Sequence, residues 1–299
     1  MKKIFLITAA LLNTTFVFGQ KNVFIATDFT KEGEFTNNCE GPSVDKAGNV
    51  YAVNINQDGS IARITPDGKT SVFLNLPNGS VGNGIRFGSR NTFFVADFVQ
   101  HNVLKVDLNT KQVSVLAHVP TMNQPNDLAI MSNGTIFCSD PNWKESTGQI
   151  WKVTPEGKAE LLVANMGTTN GIEVSPDEKT LYVNESVQKN VWAFDITEQG
   201  TLTNKRLLIK FKDGGMDGMR CDAKGNLYIA RHGLGAVDIV SPKGKVIQTV
   251  KLKGKQTSNI CFGGKDGKTC YVTLQDRKCL ETFRTINPGR EWKMMKRFK

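Results

Sequence analysis

A short strand-turn-strand phrase recurs along this chain and constrains its fold more than any other feature. Each copy places an Asp, Gly or Asn turn between two runs of alternating apolar residues, as at positions 43–51, 172–182 and 219–228. The copies end on aromatic residues spaced by 43, 43, 45, 46 and 43 positions: Tyr51, Phe94, Phe137, Tyr182, Tyr228 and Tyr271. Alternation around such a turn is typical of a β-hairpin. Six copies at a nearly constant period predict a repeat architecture.

Two further strand signals follow each hairpin, for example at 61–64 and 71–74, and again at 150–153 and 161–163. Four short strands in about 45 residues are typical of one blade of a β-propeller. The sequence therefore predicts an all-β fold, a six-bladed β-propeller with four-stranded blades, over residues 20–299. We expect the strand-like segment 23–27 to supply the missing outer strand of the sixth blade and so close the ring. The even spacing argues against the alternative of two separate domains.

The composition agrees with a globular chain. Of the 299 residues, 39% are hydrophobic and 22% are charged, which excludes an intrinsically disordered protein. The six cysteines include no Cys-x-x-Cys pair and are too few for a disulfide-dense scaffold. We expect most of them to be free, buried thiols.

The N-terminus predicts an exported protein. Met1-Lys2-Lys3 precedes an apolar run at 4–18, and Val17 and Gly19 stand where a signal peptidase prefers small residues. We therefore expect a signal peptide over residues 1–19 and a periplasmic or secreted protein. The alternative is an uncleaved anchor, but the run is shorter than the roughly 20 residues that span a membrane. No other segment is apolar enough, so no membrane anchor is expected.

The net charge does not indicate a nucleic-acid partner. The formal charge is +10, and removal of Lys2 and Lys3 lowers it to +8. Part of the excess lies at the C-terminus, in Arg290, Lys293, Lys296, Arg297 and Lys299. An exported protein rarely meets nucleic acid, and no nucleic-acid-binding motif is present, so we interpret this segment as a solvated tail. We expect a monomer or weak oligomer.

Counting back from the aromatic residues locates a polar, oxygen-bearing residue before each inner strand. They are Glu40, Asn83, Asn126, Asn170, Asp217 and, in the sixth unit, Ser258 or Asn259. In a propeller the inner strands run in the same direction around a central channel, so these side chains would converge on one rim. Asn and Asp also favour turns, so any single one of these residues could simply shape a turn. Six such residues at equivalent positions favour a functional site instead.

The two acids of this ring predict a cation. Glu40 and Asp217 would repel each other unless a positive charge lay between them. Amide oxygens complete a donor set without histidine or thiolate, which suits Ca²⁺, Mg²⁺ or Mn²⁺ better than Zn²⁺. We expect one divalent cation, with Ca²⁺ as the first candidate, held by Glu40, Asn126, Asn170 and Asp217.

Five phrases, in order and about one blade apart, carry a resemblance to a known family. They are Glu40-Gly41-Pro42, Pro125-Asn126-Asp127, Ser139-Asp140-Pro141, Asn170-Gly171-Ile172 with Ser175-Pro176-Asp177, and Asp217-Gly218-Met219. On these phrases the chain resembles the regucalcin (senescence marker protein) and gluconolactonase family, six-bladed propellers that hydrolyse sugar lactones. The resemblance covers essentially everything after the predicted signal peptide.

The resemblance implies roles for individual residues. It makes Glu40, Asn170 and Asp217 metal ligands and places Asn126 at the metal or the substrate. The chain departs from regucalcin at Gln124, where regucalcin has an arginine that contacts the sugar. Asp140, within a phrase similar to that of bacterial gluconolactonases, is expected beside the substrate.

The chemistry that the resemblance implies is hydrolysis of a small-molecule lactone, with the cation polarising the carbonyl. Asp217 is the candidate general base, and Asn126 would orient substrate or water. Gln124, Asp140 and Trp143 are candidate substrate contacts, although Trp143 fits an exposed packing aromatic equally well. Two alternatives stay open: hydrolysis of an aryl ester or organophosphate on the same ring, and a propeller that only binds a ligand. No Gly-x-Ser-x-Gly motif is present, and of the three scattered histidines His232 is the one expected near the channel.

Overall fold

The computed structural model describes residues 23–89 and 91–295, which form six four-stranded antiparallel sheets. The predicted signal peptide at 1–19 lies outside the described residues. Within the described ranges, no helix is both long and apolar enough to cross a membrane.

Blades one to three each contain four consecutive strands. Blade one consists of β2 (Phe35–Val44), β3 (Val50–Ile55), β4 (Ser60–Ile64) and β5 (Thr70–Asn75). Blade two consists of β6 (Gly82–Phe87), β7 (Thr92–Asp97), β8 (Asn102–Asp107) and β9 (Val113–His118). Blade three consists of β10 (Leu128–Ile130), β11 (Ile136–Asn142), β12 (Thr147–Val153) and β13 (Ala159–Met166).

The other half of the ring repeats this order. Blade four consists of β14 (Thr169–Val174), β15 (Thr180–Glu185), β16 (Asn190–Ile196) and β17 (Leu202–Lys210). Blade five consists of β18 (Met219–Cys221), β19 (Leu227–Arg231), β20 (Ala236–Val240) and β21 (Val246–Lys251). Blade six combines β22 (Thr257–Gly263), β23 (Thr269–Leu274) and β24 (Cys279–Arg284) with the N-terminal strand β1 (Thr27–Asp28).

Burial shows how the blades are arranged. All six residues of β14, the first strand of blade four, are buried, whereas most of β17, its last strand, is exposed. The first strands of neighbouring blades contact each other, so they surround the central channel. Apolar side chains fill the space between blades, as where Tyr51 of blade one meets Phe93 of blade two at 5.6 Å between ring centroids. The predicted six-bladed propeller is confirmed.

The N-terminal segment closes the ring, as predicted, with a shorter strand. In β1, Thr27 lies opposite Thr282 and Asp28 lies opposite Glu281 on β24. The Arg277 guanidinium donates to the carboxylates of Asp28 at 2.7 Å and Glu281 at 2.6 Å, which ties the two strands together. The sixth sheet therefore combines strands from both ends of the chain.

All six cysteines are free and buried, which agrees with the sequence prediction. Burial raises the pKa of the thiols of Cys39, Cys138 and Cys221 well above its usual range. These thiols therefore stay protonated and act as small apolar groups in the core.

The predicted solvated tail is wrong for Arg290, because residues 287–295 form a packed element. Lys293 is exposed, and Lys296, Arg297 and Lys299 lie outside the described residues. A helix, α1, runs from Arg290 to Met295. Arg290 is buried and donates to the carbonyl oxygens of Ile130 at 3.0 Å and Ser175 at 3.2 Å, at the ends of the inner strands of blades three and four. Six residues are less than two turns, too few to show a helical period in the sequence.

We call residues 287–295 the C-terminal clasp, because they connect several blades across the far end of the channel. The Asn287 amide donates to Asp222 of blade five at 2.9 Å, and the Gly289 N–H donates to the Gly267 carbonyl of blade six at 3.0 Å. Met295 packs into the apolar cluster between blades one and two. The channel is therefore closed at the end where the inner strands finish.

Candidate metal centre at the channel mouth

At the opposite end, where the inner strands begin, the channel opens into a cavity of about 440 Å³. Five of the six predicted ring positions line this cavity: Glu40, Asn83, Asn126, Asn170 and Asp217. The sixth position is Asn259, whose amide donates to Glu40 Oε2 at 2.9 Å from behind the wall. The neighbouring Ser258 hydroxyl is bonded to the Cys39 carbonyl at 2.7 Å. The structure thus gathers the polar ring at one rim.

Glu40 reaches the channel because its strand is locally irregular. The pairing of β2 with β3 shifts register on both sides of Glu40. Gly41 has a positive φ of 54°, and a Cβ there would lie only 1.8 Å from the carbonyl oxygen of Asn83. Glycine is therefore required for the close approach of blades one and two. The Gly41 N–H donates to Glu40 Oε2 at 2.6 Å and fixes the carboxylate.

Asp217 is held by contacts with its own blade and with blade four. Its backbone N–H donates to the Ala230 carbonyl at 3.0 Å, and its carbonyl accepts from the Asn184 amide at 2.6 Å. The next residue is Gly218, where a Cβ would lie 2.0 Å from Asn259 Cγ. The two glycines after the acids, Gly41 and Gly218, allow the backbone to pack closely around the rim.

The two acids line the same cavity, and the charge of Glu40 acts on Asp217. Burial raises the pKa of Glu40 to about 7, and it raises the pKa of Asp217 well above its usual range. The nearby charge of Glu40 raises the pKa of Asp217 further, while a hydrogen bond with Asn170 acts in the opposite direction. Two ionised carboxylates in this position need a cation between them or a shared proton.

Two amide oxygens next to these acids are buried without a hydrogen-bond donor. Asn170 donates through Nδ2 to the Ser186 hydroxyl at 3.1 Å, which leaves its Oδ1 without a partner. Asn126 Oδ1 also lacks a partner, although the backbone oxygen of Asn126 accepts from the Asn83 amide at 3.1 Å. Burying a polar atom without a partner costs free energy, and a bound cation would satisfy both oxygens.

The arginines of the channel are paired with other acids. Arg86 and Arg220 both contact Asp127, at 2.7 and 3.1 Å, and Arg290 lies 3.6 Å from Glu173. Across residues 23–89 and 91–295, no lysine or arginine forms an ion pair with Glu40 or Asp217. The acids of the rim therefore have no basic partner among the described residues, whereas the arginines deeper in the channel are paired with acids.

These donors fit a hard divalent cation. The described residues contain no group of three or more His, Cys, Asp or Glu side chains that could hold a metal. The set at the rim differs from such a group, because it consists of two carboxylates and two neutral amide oxygens. An all-oxygen set of this kind suits Ca²⁺, Mg²⁺ or Mn²⁺.

Two of the three candidate substrate contacts line the cavity. Gln124 and Trp143 are both part of its wall. Asp140 is not: it is buried, and its carboxylate accepts from the backbone N–H groups of Asn123 at 2.8 Å and Gln124 at 2.6 Å, and from the Trp151 indole at 3.1 Å. Asp140 thus holds the segment before Asn126 in place and does not line the cavity, and its expected contact with the substrate stays a prediction.

The cavity also contains residues that the sequence analysis did not single out. They are Asn38, Phe98, Ser186, Val187, Gly215, Met216 and Gln275. Most of them lie in loops next to strands of the repeated hairpin phrase. The blade period could therefore have predicted where these loops lie, but not which of their side chains face the cavity. His232, the histidine expected near the channel, does line the cavity.

Comparison with known proteins matches most of the propeller to one family. The SMP-30/Gluconolactonase/LRE-like region family matches residues 38–276, a span that includes the four candidate metal ligands. A gluconolactonase of Zymomonas mobilis is 30% identical over 270 residues, which cover 78% of this chain and 75% of that protein. A regucalcin of Bos taurus is 35% identical over 130 residues, covering 42% of this chain and 44% of its own.

A solved structure shows the same fold. It is described as a calcium-binding protein, regucalcin, from Agrobacterium tumefaciens, and it superposes with a TM-score of 0.73 at 24% identity. The superposition covers 89% of this chain and 96% of that one. With the family match over most of the propeller, the conclusion is that this chain belongs to the SMP-30/gluconolactonase/LRE-like family.

Proposed function

We propose that this protein is a divalent-metal-dependent lactonase that opens a lactone ring by hydrolysis, with sugar lactones as the first substrates to test. The observation that carries the proposal is the rim itself. Among the described residues, Glu40 and Asp217 form no ion pair with a lysine or arginine, and Asn126 Oδ1 and Asn170 Oδ1 accept no hydrogen bond. The relative named gluconolactonase supports the same reaction. The cavity of about 440 Å³ has a size suited to a small molecule.

Glu40, Asn170 and Asp217, with Asn126, would hold the cation. When bound, the cation supplies positive charge that polarises the lactone carbonyl and stabilises the oxyanion formed from it. We expect Ca²⁺, since every donor is an oxygen, with Mg²⁺, Mn²⁺ and Zn²⁺ as alternatives. The description of the regucalcin structure as calcium-binding agrees with this choice.

The chain's own side chains have two further tasks. Asp217 accepts a proton on its carboxylate from the water that attacks the carbonyl carbon, and burial favours the protonated form that results. The proton is then available to the ring oxygen as the ester bond breaks, so that the product is a hydroxy acid. Asn126 lies beside the two acids in the cavity wall, where its amide can orient substrate or water.

Two near-isosteric variants test the proposal. Glu40→Gln and Asp217→Asn each remove one negative charge with little change in volume, so we expect both proteins to fold but to lose bound metal. Hydrolysis of glucono-1,5-lactone should fall by at least about a hundredfold. Metal content is measured by elemental analysis and folding by circular dichroism. Glu145→Gln, which removes an exposed charge from a loop close to the mouth, is the matched control. Wild-type hydrolysis in Glu40→Gln would falsify the proposal.

A further inference from the structure

Apart from the polar ring, the side chains around the cavity divide into an apolar and a polar arc. The apolar arc consists of Phe98 from blade two, Trp143 from blade three and Val187 from blade four. Met216 of blade five also borders the cavity, but it is only 1% exposed and packs in the core. The wall contributed by blades five, six and one is polar, with His232, Gln275 and Asn38. A lactone bound over the rim would therefore meet apolar side chains on one side and polar side chains on the other.

Hydrogen bonds hold the loops that carry the apolar arc. The Gln188 amide donates to the Ser146 carbonyl at 2.9 Å, which joins the loop of Val187 to the loop of Trp143. Gln188 also accepts from the Thr168 N–H at 2.9 Å. The Ser186 hydroxyl is engaged by Asn170 and by the Met216 carbonyl, so it is not free to bind a ligand.

Two members of the apolar arc are unusually exposed for a position inside a cavity. Trp143 is 45% exposed and Val187 is 52% exposed. Most other large apolar side chains of similar exposure lie on outer strands, such as Val115 on β9 and Leu207 on β17. Apolar surface that faces water beside a reactive site is favourable to cover with an apolar ligand group.

The charges of the cavity limit the ligand in a second way. No lysine or arginine is among the described residues that line it, whereas Glu40 and Asp217 are. Gln124, which lines the cavity on the side of the apolar arc, is polar but carries no charge. A phosphate or carboxylate on the substrate would thus find no lysine or arginine in the described part of the wall.

We propose that the preferred substrate is an uncharged lactone with an apolar substituent, which lies against Phe98, Trp143 and Val187 while the ester group faces the acids of the rim. This inference rests on the proposed lactonase function and specifies its substrate class.

A matched pair of lactones tests the inference. We compare kcat/KM for δ-valerolactone with that for δ-nonalactone, which has the same ring and a butyl group, and add glucono-1,5-lactone as the hydroxylated reference. We expect δ-nonalactone to be favoured by about tenfold, the factor for burying one to two methylene groups. Trp143→Gln and Val187→Ser should each reduce that preference by about threefold or more, mainly through a higher KM for δ-nonalactone.

The control is Val115→Ser, which changes an equally exposed valine on an outer strand and should keep the wild-type preference. Metal content is measured for every variant, so that loss of the ion is distinguished from loss of the apolar contact. If no lactone is hydrolysed, the proposed function fails. If lactones are hydrolysed but the butyl group gives no advantage, the substrate inference is wrong while the lactonase function stands. The same conclusion follows if the advantage survives in both Trp143→Gln and Val187→Ser.

Discussion

At the scale of single residues, the candidate site depends on two carboxylic acids that the fold places in one cavity. Burial raises the pKa of Glu40 to about 7. Burial and the charge of Glu40 raise the pKa of Asp217 well above its usual range. Among the described residues, Asn126 Oδ1 and Asn170 Oδ1 are two further acceptors without a hydrogen-bond partner. The proposed cation would reduce the repulsion and satisfy both amide oxygens.

This arrangement predicts that metal affinity depends on pH. Without the cation, Glu40 carries a proton below a pH of about 7, and the ion must displace it. We therefore expect the affinity for Ca²⁺ to be highest above pH 7 and to fall by about tenfold per pH unit below it, for each proton released. Isothermal titration calorimetry at pH 6, 7 and 8, in buffers of different ionisation enthalpy, measures both the affinity and the protons released. An affinity that is constant from pH 6 to 8 would contradict the pKa assigned to the site.

The residue types of the site could be read from the sequence, but their environment could not. The ring positions follow from the repeat, because equivalent residues of equal blades share a rim. The sequence did not show that Asp140 faces the backbone of Asn123 and Gln124 instead of the cavity. An acidic residue near a site can either contact the ligand or support a loop, and only three-dimensional contacts distinguish the two.

At the scale of elements, each inner strand has the rim at its start and the C-terminal clasp at its end. Glu291 on α1 contacts Arg86 at 3.0 Å and Arg220 at 3.5 Å, and both arginines also contact Asp127. The two guanidiniums are almost completely buried. Removing one partner from a buried ion pair is strongly destabilising, because the other charge stays behind.

We therefore expect Glu291→Gln to lower the free energy of unfolding by about 2–4 kcal/mol. Asp127 remains as a partner of both arginines, so we expect the variant to be destabilised but still folded. Urea denaturation measures the change, and Lys293→Gln, on the exposed side of the same helix, should differ from wild type by less than about 0.5 kcal/mol. Equal stabilities of the two variants would show that the clasp does not hold the channel charges.

The elements differ in how well the sequence predicts them. The hairpins are strongly marked, and all six phrase-ending aromatics lie on the second strand of their blades. No sequence pattern predicts helix α1, since its basic residues were consistent with a tail. The position of the C-terminal clasp depends on contacts with Ile130, Ser175 and Asp222, which are distant in the chain and give no local sequence signal.

At the scale of the whole molecule, the ring is closed by segments from both chain ends. Strand β1 covers the outer edge of blade six, and the C-terminal clasp connects blades at the bottom of the channel. The number of blades and the closure by an N-terminal strand could both be predicted, because the repeat period and the incomplete sixth unit are visible in the sequence.

Closure predicts a cost for removing β1. A chain that begins at Glu34 exposes the edge of β24 and loses the Asp28 partner of Arg277. We expect a melting temperature lower by roughly 3–5 °C, the shift that about 2–3 kcal/mol produces in a chain of this size, together with aggregation through the exposed edge. Differential scanning calorimetry and light scattering measure the two effects. A truncated protein that melts with the full-length one would show that β1 contributes nothing to closure.

The whole molecule brings four candidate donors from four blades to one cavity, and we propose that one divalent cation bound there is needed for lactone hydrolysis. The direct measurement is to strip the purified protein with a chelator, assay a lactone panel, and repeat the assay after refilling with Ca²⁺, Mg²⁺, Mn²⁺ or Zn²⁺ individually. We expect one bound ion per chain, loss of hydrolysis on stripping and recovery with Ca²⁺. Hydrolysis at the full rate by protein shown to be metal-free would contradict the proposed role of the cation.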